Sequence, residues 1–188
     1  MNFVLLWSIL GACALLLILE RLGLPTTLSL NFKGDLKRES RWLAQYGQAA
    51  SLLVAAALVF ELDKSNQPWR SASVLIAAFG AAIIGRILKQ LVGRVRPGRE
   101  HAGRFLGPTL KHDNLRESFP SNHTASAVAM SAVLAHLYPA AAITFWTLAT
   151  VCALLRYVLD AHWPSDVVAG VALGYVSAEL TLHLLKIG

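Results

Sequence analysis

Three polar clusters interrupt the apolar sequence of this chain, and one of them combines a histidine with a carboxylate. Asp166 follows His162 by four residues, and Arg156 precedes His162 by six. Charges between apolar stretches usually face a polar cavity and often mark function. A carboxylate that contacts an imidazole orients or activates it for nucleophilic or proton-transfer chemistry. Pro164 favours a helix start here, so the same residues are also consistent with a plain capping pair.

The second cluster, Pro120-Ser121-Asn122-His123, comes directly before an apolar run. Ser121 is a favourable N-cap, so a helix with unpaired backbone N–H groups is expected to begin there. Such a helix end binds phosphate through its amides and its dipole. Alternatively, Ser121 only caps the helix and His123 is a polar residue at the membrane interface.

The third cluster contains Lys89 and Arg96, which are seven residues apart. On a helix this spacing places both cations on one face, two turns apart. Pro97 then ends the helix, because the residue before a proline resists the helical conformation. The alternative is that both side chains only extend to lipid headgroups.

The composition places these clusters in a membrane protein. Of the 188 residues, 55% are hydrophobic and 15% are charged, and the mean hydropathy is +0.52. The hydrophobic fraction and the mean hydropathy are higher than in a usual soluble domain. Together with the length, they predict one membrane-embedded domain over residues 1–188. The formal charge of +6 does not indicate a nucleic-acid partner, because most charges gather in two short connections and not on an exposed face. Anionic lipid headgroups or phosphates are the expected partners.

An all-α fold with six transmembrane helices in one bundle is predicted. A span needs about 20 mostly apolar residues, and the candidates are 2–19, 46–60, 71–92, 124–138, 140–158 and 167–187. The short spans 46–60 and 124–138 fit interior positions best, and a short amphipathic segment at 33–41 follows the first span. With six spans, the first, third and fifth connections lie on one side, so the three clusters share a membrane face.

Together the clusters predict a site for a dianionic phosphoryl group. Phosphoryl transfer requires positioning and positive potential around the phosphoryl oxygens, and two histidines, three cations and a helix N-terminus supply both. The sequence contains no HExxH pattern, cysteine pair or carboxylate cluster, so neither a metal site nor a cofactor is predicted.

The order of the motifs resembles a known family. Lys89-x6-Arg96-Pro97, then Pro120-Ser121-Asn122-His123, then Arg156-x5-His162-x3-Asp166, is similar to the three-part signature of the type 2 phosphatidic acid phosphatase superfamily, in its integral-membrane lipid phosphatase branch. The motifs occupy residues 89–166. The resemblance implies that His162 is the nucleophile of a phosphohistidine mechanism and that Asp166 orients it. It also implies that His123 is the general acid and then the general base.

The resemblance further implies a set of phosphate-binding residues and no requirement for a metal ion. Two departures from the family pattern are present: Asn122 replaces the usual glycine of the second motif, and Leu155 replaces a small polar residue before Arg156. Asparagine accepts unusual backbone angles better than most residues, which limits the effect of the first departure. The implied phosphate-binding residues are Lys89, Arg96, Ser121, Asn122 through its amide, and Arg156.

The expected function is hydrolysis of the terminal phosphate of a lipid phosphate or diphosphate. The resemblance allows undecaprenyl diphosphate, phosphatidylglycerol phosphate, phosphatidic acid and lipid A phosphates as substrates. One alternative is a phosphotransferase that passes the phosphoryl group to another lipid. Another is a non-catalytic membrane protein that binds anionic lipids in the same pocket.

Two further expectations concern location and the long connection. Basic residues in the first connection favour a cytoplasmic site by the positive-inside rule, whereas the resemblance implies a bacterial inner membrane with the site facing the periplasm, and we expect the latter. The loop 98–117 either shapes headgroup selection or is only solvated, and Asp160 is expected to be solvated. The polar residues of that loop are Arg99, His101, Arg104, Lys111 and His112.

Overall fold

The fold is a bundle of helices. The structure is a computed structural model that describes residues 1–24, 26–28, 30–65, 67–109, 113, 115–159 and 162–187. Across these residues there is no β-strand, and Arg94 and Phe105 form an isolated bridge, so the all-α prediction is confirmed. The helices are α1 (Phe3–Arg21), α2 (Gly34–Leu43), α3 (Ala49–Leu62), α4 (Pro68–Val92), α5 (Asn122–Leu137), α6 (Ala142–Val158) and α7 (Pro164–Leu184), with a 3-10 turn at Pro139–Ala141 before α6.

Each predicted span contains a helix, but only some of these helices are long enough to cross a membrane alone. Length and apolar composition qualify four segments, Phe3–Arg21, Pro68–Val92, Pro139–Val158 and Pro164–Leu184. Helix α3 is apolar but has 14 residues, and α5 has 16, whereas a span needs about 20. The count of six crossings therefore stays a prediction. Helix α2 lies where the amphipathic segment was expected.

Local sequence signals fix both ends of α4, which precedes the third connection, and the start of α7, which follows the last connection. Helix α4 has Pro68 in its first turn and ends at Val92, followed by Gly93, whose φ of 61° lies in the left-handed region that favours glycine. The prediction that this helix continues to Arg96 and is ended by Pro97 is therefore wrong, and Arg96 lies in the connection after α4 and not on one helical face with Lys89. Helix α7 begins at Pro164, and the Asp166 side chain accepts a hydrogen bond of 2.9 Å from the backbone N–H of Trp163. This contact is the half of a capping box in which a side chain in the first turn accepts from the backbone N–H of the N-cap residue.

Helix α5 is the centre of the bundle and packs against α4, α6 and α7. Glycines on the surrounding segments allow close approach to its backbone. A Cβ atom added at Gly174 would lie 2.4 Å from the carbonyl oxygen of Ala125, and one at Gly170 would lie 2.6 Å from that of Ser121. At Gly47 the corresponding distance to the carbonyl oxygen of His123 is 2.0 Å. Small residues at such contacts are the usual means of tight helix packing in lipid.

Side-chain hydrogen bonds fix the register of these helices. The Ser126 hydroxyl in α5 donates to the carbonyl of Ala78 in α4 at 3.1 Å, and the Ser177 hydroxyl in α7 donates to the carbonyl of Ala77 at 2.7 Å. Because both bonds end on neighbouring carbonyls of α4, they hold α5 and α7 at a defined height along it.

Helix α1 lies at the outside of the bundle against α7. Cys13 is buried, and the Cys13 thiol donates to the carbonyl of Ser165 at 3.5 Å. The middle of α1 therefore lies beside the first turn of α7.

The close contact at Gly174 provides a test of the packing. Gly174→Ala should lower the free energy of unfolding by about 1–3 kcal/mol, because its methyl group would overlap the α5 backbone. Unfolding in detergent micelles, followed by circular dichroism, measures the difference. Gly11→Ala in α1 is the matched control, since no atom lies within 4 Å of a Cβ built there; equal stability of the two variants would contradict this account of the α5–α7 contact.

Candidate active site

The predicted site residues meet at one end of the bundle, where α4 and α6 end and α3, α5 and α7 begin. The backbone N–H of Ser121 donates to the carbonyl of Asp166 at 2.9 Å, which joins the starts of α5 and α7. The Lys89 ammonium, in the last turn of α4, donates to the carbonyl of Ser118 at 3.3 Å. The three sequence clusters therefore lie side by side in the fold, although they are far apart along the chain.

His162 and Asp166 form the buried part of the site. The His162 side chain is 2% exposed and that of Asp166 is fully buried, and Nδ1 of His162 lies 3.6 Å from Oδ2 of Asp166. This distance is longer than a normal hydrogen bond, and Nδ1 makes no hydrogen bond to any described residue. Because Nδ1 faces the carboxylate, Nε2 is the ring nitrogen that remains for chemistry.

Three donors hold the Asp166 carboxylate, and none of them was among the predicted site residues. Oδ1 accepts a hydrogen bond of 2.6 Å from the Arg94 guanidinium. Oδ2 accepts hydrogen bonds from the Ser118 hydroxyl and from the backbone of Trp163. These contacts fix the carboxylate in front of the His162 ring.

Burial lowers the pKa of His162 below its ordinary value, because the imidazolium would lose its hydration there. The positive charges of Lys89 and Arg156 act in the same direction, and the Asp166 carboxylate opposes them. His162 is therefore the neutral imidazole near neutral pH, which is the form that has a free lone pair for nucleophilic attack.

His123 is half-buried at the start of α5. Its Nε2 lies 3.0 Å from Nε2 of Gln48, the residue that precedes α3. The positive charges of Arg156, Lys89 and Arg96 are close enough to His123 to disfavour its protonated form. Those of Lys89 and Arg156 have the same effect on His162. The two histidines thus share the same group of cations.

The cations differ in how they are held. Lys89 is buried, and its ammonium donates to the main-chain carbonyls of Glu117 and Ser118. Arg96 is half-buried, and its guanidinium contacts the carbonyl of Glu117 at 3.4 Å. The Nε atom of Arg156 is buried, and no described residue accepts a hydrogen bond from it.

Ser121 precedes α5 and is fully buried. Its hydroxyl accepts a hydrogen bond of 3.0 Å from the Thr124 hydroxyl, which leaves its own hydrogen available to an anion. The first N–H groups of a helix have no partner within the helix. The start of α5 therefore combines a hydroxyl donor with backbone donors.

The side chain of Asn122 points away from this donor group and toward α4. Its Nδ2 donates to the carbonyl of Ala82 at 3.1 Å. A Cβ atom added at Gly85 would lie 2.2 Å from Oδ1 of Asn122, so the space for this side chain exists because residue 85 is glycine. The asparagine in the second motif thus occupies a gap between helices and leaves its backbone amide on the other side.

Four residues at this site were absent from the sequence prediction: Glu20, Gln48, Arg94 and Ser118. Glu20 is a single carboxylate at the end of an apolar helix, and such a charge is costly unless it is paired. The cost of an unpaired charge was the one sequence signal that Glu20 has a partner, but it did not identify that partner. The others make contacts that depend on the tertiary fold.

Within the ranges that the structure describes, no group of three or more His, Cys, Asp or Glu side chains is placed to hold a metal ion. Asp160, Lys111 and His112 lie outside the described residues. Arg99, His101 and Arg104 are exposed. Their exposure is consistent both with contact to a lipid headgroup and with solvation alone.

Comparisons with known proteins identify the relatives of this chain. The family model of the PAP2 superfamily matches residues 70–186. The lipid A 1-phosphatase of Rhizobium johnstonii is 33% identical over 60% of this chain and 47% of that protein. The lipid A 1-phosphatase of Rhizobium etli is 28% identical over 70% of this chain and 64% of that protein. The decaprenylphosphoryl-5-phosphoribose phosphatase of Mycolicibacterium smegmatis is 32% identical over 70% of this chain and 69% of that protein.

The fold also matches a solved structure, the crystal structure of the first transmembrane PAP2 type phosphatidylglycerolphosphate phosphatase from Bacillus subtilis. The TM-score is 0.66 at 19% identity, over 99% of this chain and 95% of that chain. By contrast, this chain spans about half the length of the Rhizobium johnstonii relative, at 47%. Since the family model covers more than half of the sequence and the apolar helices share the fold of a transmembrane protein, this chain is an integral membrane protein that belongs to the PAP2 superfamily.

Proposed function

We propose that this protein is a lipid phosphatase that removes the terminal phosphate of a membrane lipid through a phosphohistidine intermediate. The observation that carries the proposal is the buried His162–Asp166 pair, which shares the charges of Lys89 and Arg156 with His123. The Nε of Arg156 has no described partner. A dianionic phosphoryl group supplies the acceptors that such a cation requires. The relatives named as lipid phosphatases support the same substrate class.

In the first step, Nε2 of His162 attacks phosphorus in line with the bond to the lipid oxygen. The P–N bond forms as the P–O bond breaks, and His123 gives its proton to the departing lipid oxygen. Asp166, which faces Nδ1, stabilises the positive charge that develops on the His162 ring. Since the transition state of phosphoryl transfer demands little besides positioning and charge stabilisation, the surrounding donors supply the rest.

In the second step, His123 acts as a base and takes a proton from a water molecule that attacks phosphorus. The P–N bond breaks, neutral His162 is regenerated and inorganic phosphate leaves. Lys89, Arg96 and Arg156 hold the phosphoryl oxygens in both steps, together with the Ser121 hydroxyl and the Asn122 backbone amide. These groups occupy residues 89–166 of one membrane-embedded unit, which we place in the bacterial inner membrane with its site toward the periplasm.

The histidines provide the main test. His162→Ala should lower kcat for phosphate release from a lipid phosphate roughly a thousandfold or more, because the nucleophile is gone. His123→Ala should lower kcat about 10²- to 10⁴-fold through loss of proton transfer. Both are measured on purified protein in mixed micelles, and His183→Ala, in the last turn of α7, is the control that should retain activity.

Each outcome of this experiment separates the candidate functions. Hydrolysis by His162→Ala at the wild-type rate would exclude the phosphohistidine mechanism. Lipid binding without phosphate release by the wild type would indicate the non-catalytic binder. Transfer of radiolabelled phosphate to a second lipid, with little inorganic phosphate, would indicate the phosphotransferase.

Arg156 provides a second test, of phosphate binding. Arg156→Ala should lower kcat/KM roughly 10²- to 10³-fold, because a preorganised donor to the phosphoryl oxygens is lost. Arg156→Lys should recover only part of this loss, since a lysine keeps the charge but not the planar fork of donors. Arg86→Ala, an exposed arginine of α4, is the matched control, and a loss of equal size there would contradict a specific role for Arg156.

The third test concerns the substrate and the metal. Phosphate release should be compared across lipid A 1-phosphate, phosphatidylglycerol phosphate, phosphatidic acid and undecaprenyl diphosphate. Lipid A 1-phosphate is the first choice, because two of the relatives carry that activity in their names. EDTA should leave the rate within about twofold of the untreated enzyme, since the proposed charge stabilisation comes from side chains and amides; loss of activity in EDTA that Mg²⁺ restores would contradict the metal-free mechanism.

A further inference from the structure

We infer that Glu20 of α1 and Arg94 are positioning residues that act on His162 through Asp166. The inference rests on the proposed function, in which His162 is the nucleophile. Glu20 lies outside residues 70–186, the part of the chain that the family model matches. If the inference holds, the outermost helix is part of the catalytic unit and not only a membrane anchor.

Glu20 is a buried carboxylate, although α1 is otherwise mostly exposed. Its side chain is 2% exposed, and Oε2 lies 2.7 Å from Nη2 of Arg94. Oε1 accepts a hydrogen bond of 3.1 Å from the backbone N–H of Ser165, and the Ser165 hydroxyl donates to Oε2. Glu20 therefore contacts the first turn of α7, directly before Asp166.

Arg94 connects the two carboxylates. Its Nη2 faces Glu20, and its Nη1 donates to Oδ1 of Asp166 at 2.6 Å. The guanidinium carbon also lies 5.1 Å from the centroid of the Phe105 ring and 5.2 Å from that of the Trp163 ring. Contacts with two aromatic rings and two carboxylates leave the guanidinium little freedom to move, so it holds Asp166 in one place.

The charge balance explains why two carboxylates share one arginine. If Arg94 faced Asp166 alone, its charge would compensate that carboxylate and weaken its attraction for a cationic His162 ring. Glu20 supplies a second negative charge, so the group of three carries a net charge of about −1 next to the imidazole. That charge stabilises the positive ring that forms when His162 attacks phosphorus.

A purely structural role is the competing account, because the same contacts also attach α1 to α7. Buried ion pairs are weak evidence of a gain in stability. The two accounts differ in what they predict for kcat: docking of α1 affects the amount of folded protein, whereas positioning of Asp166 affects the chemical step of folded protein.

The first experiment replaces Glu20 by its neutral isostere. Glu20→Gln should lower kcat roughly 10- to 100-fold and leave KM within about threefold, since the phosphate-binding cations are unchanged. The matched control is Glu179→Gln, which removes the α7 carboxylate that pairs with the amino group of Met1 in front of α1. The rates are expressed per folded active site. The number of folded sites is the amount of radiolabelled phosphohistidine that forms on the protein from labelled substrate in a single turnover.

The second experiment tests whether the three charges act as a unit. Arg94→Gln leaves two buried carboxylates without a cation and should lower kcat roughly 100-fold or more. Glu20→Gln combined with Arg94→Gln removes the repulsion as well, so the double variant should recover roughly tenfold over Arg94→Gln and stay below the wild type. Where Arg94→Gln does not fold, the double variant still decides, because it keeps the same net charge through Asp166 but lacks the contacts that position it, and a wild-type kcat in that protein would overturn the inference.

The outcomes distinguish this inference from the proposed function. Loss of phosphate release in His162→Ala, together with a wild-type kcat in Glu20→Gln, overturns only the role of Glu20 and Arg94. An equal loss of kcat in Glu20→Gln and Glu179→Gln also overturns that role, in favour of helix docking. Unchanged hydrolysis in His162→Ala overturns the proposed function itself.

Discussion

The burial of one carboxylate, that of Asp166, is the constraint on which the rest of the site depends. A carboxylate without water is costly unless donors surround it. Here the donors come from three different segments: the guanidinium of Arg94, the hydroxyl of Ser118 and the backbone of Trp163. Satisfying one charge therefore requires the connection after α4, the segment before α5 and the start of α7 to meet at one point. The same meeting places His162 against the carboxylate, so the requirement for charge compensation also builds the geometry of the site.

Close packing around α5 makes this meeting possible. The carbonyl oxygens of Ser121, His123 and Ala125 each lie where a side chain on the neighbouring segment would collide. Glycine at positions 47, 170 and 174 removes that collision, and the helix ends that carry polar groups approach each other as a result. The pair of Gly85 and Asn122 follows the same rule, because a missing side chain on α4 accommodates an extra one on α5. The departure from the family pattern at residue 122 is thus balanced one helix away.

Sequence patterns predicted the helices and the sidedness of the polar clusters because both depend on local features. Apolar runs of sufficient length and Pro164 before Asp166 are visible without any tertiary contact. The seven-residue spacing of Lys89 and Arg96 was misleading, because Gly93 ends α4 before Arg96 is reached. The support of Asp166 was not predictable in this way, because Glu20 and Arg94 are 74 residues apart and neither one specifies its partner. The number of membrane crossings was also not fixed, since α3 and α5 are shorter than a bilayer requires. The interior position predicted for both is confirmed for α5, which is mostly buried, but is wrong for α3, whose Leu53, Val54 and Leu58 side chains are exposed because α3 packs mainly against α4.

The buried cations fall into two kinds, and the difference bears on how an apolar protein binds a dianion. Arg94 is compensated by carboxylates on both sides, so it adds no attraction for a substrate. Lys89 is held by main-chain carbonyls, and the Nε of Arg156 has no acceptor among the described residues. Carbonyl dipoles fix a cation in position without cancelling its charge, so positive potential persists where the phosphoryl group would enter. The free-energy cost of burying these charges is offset when the phosphoryl oxygens bind. The same burial therefore makes the site costly to form and strengthens its attraction for the substrate.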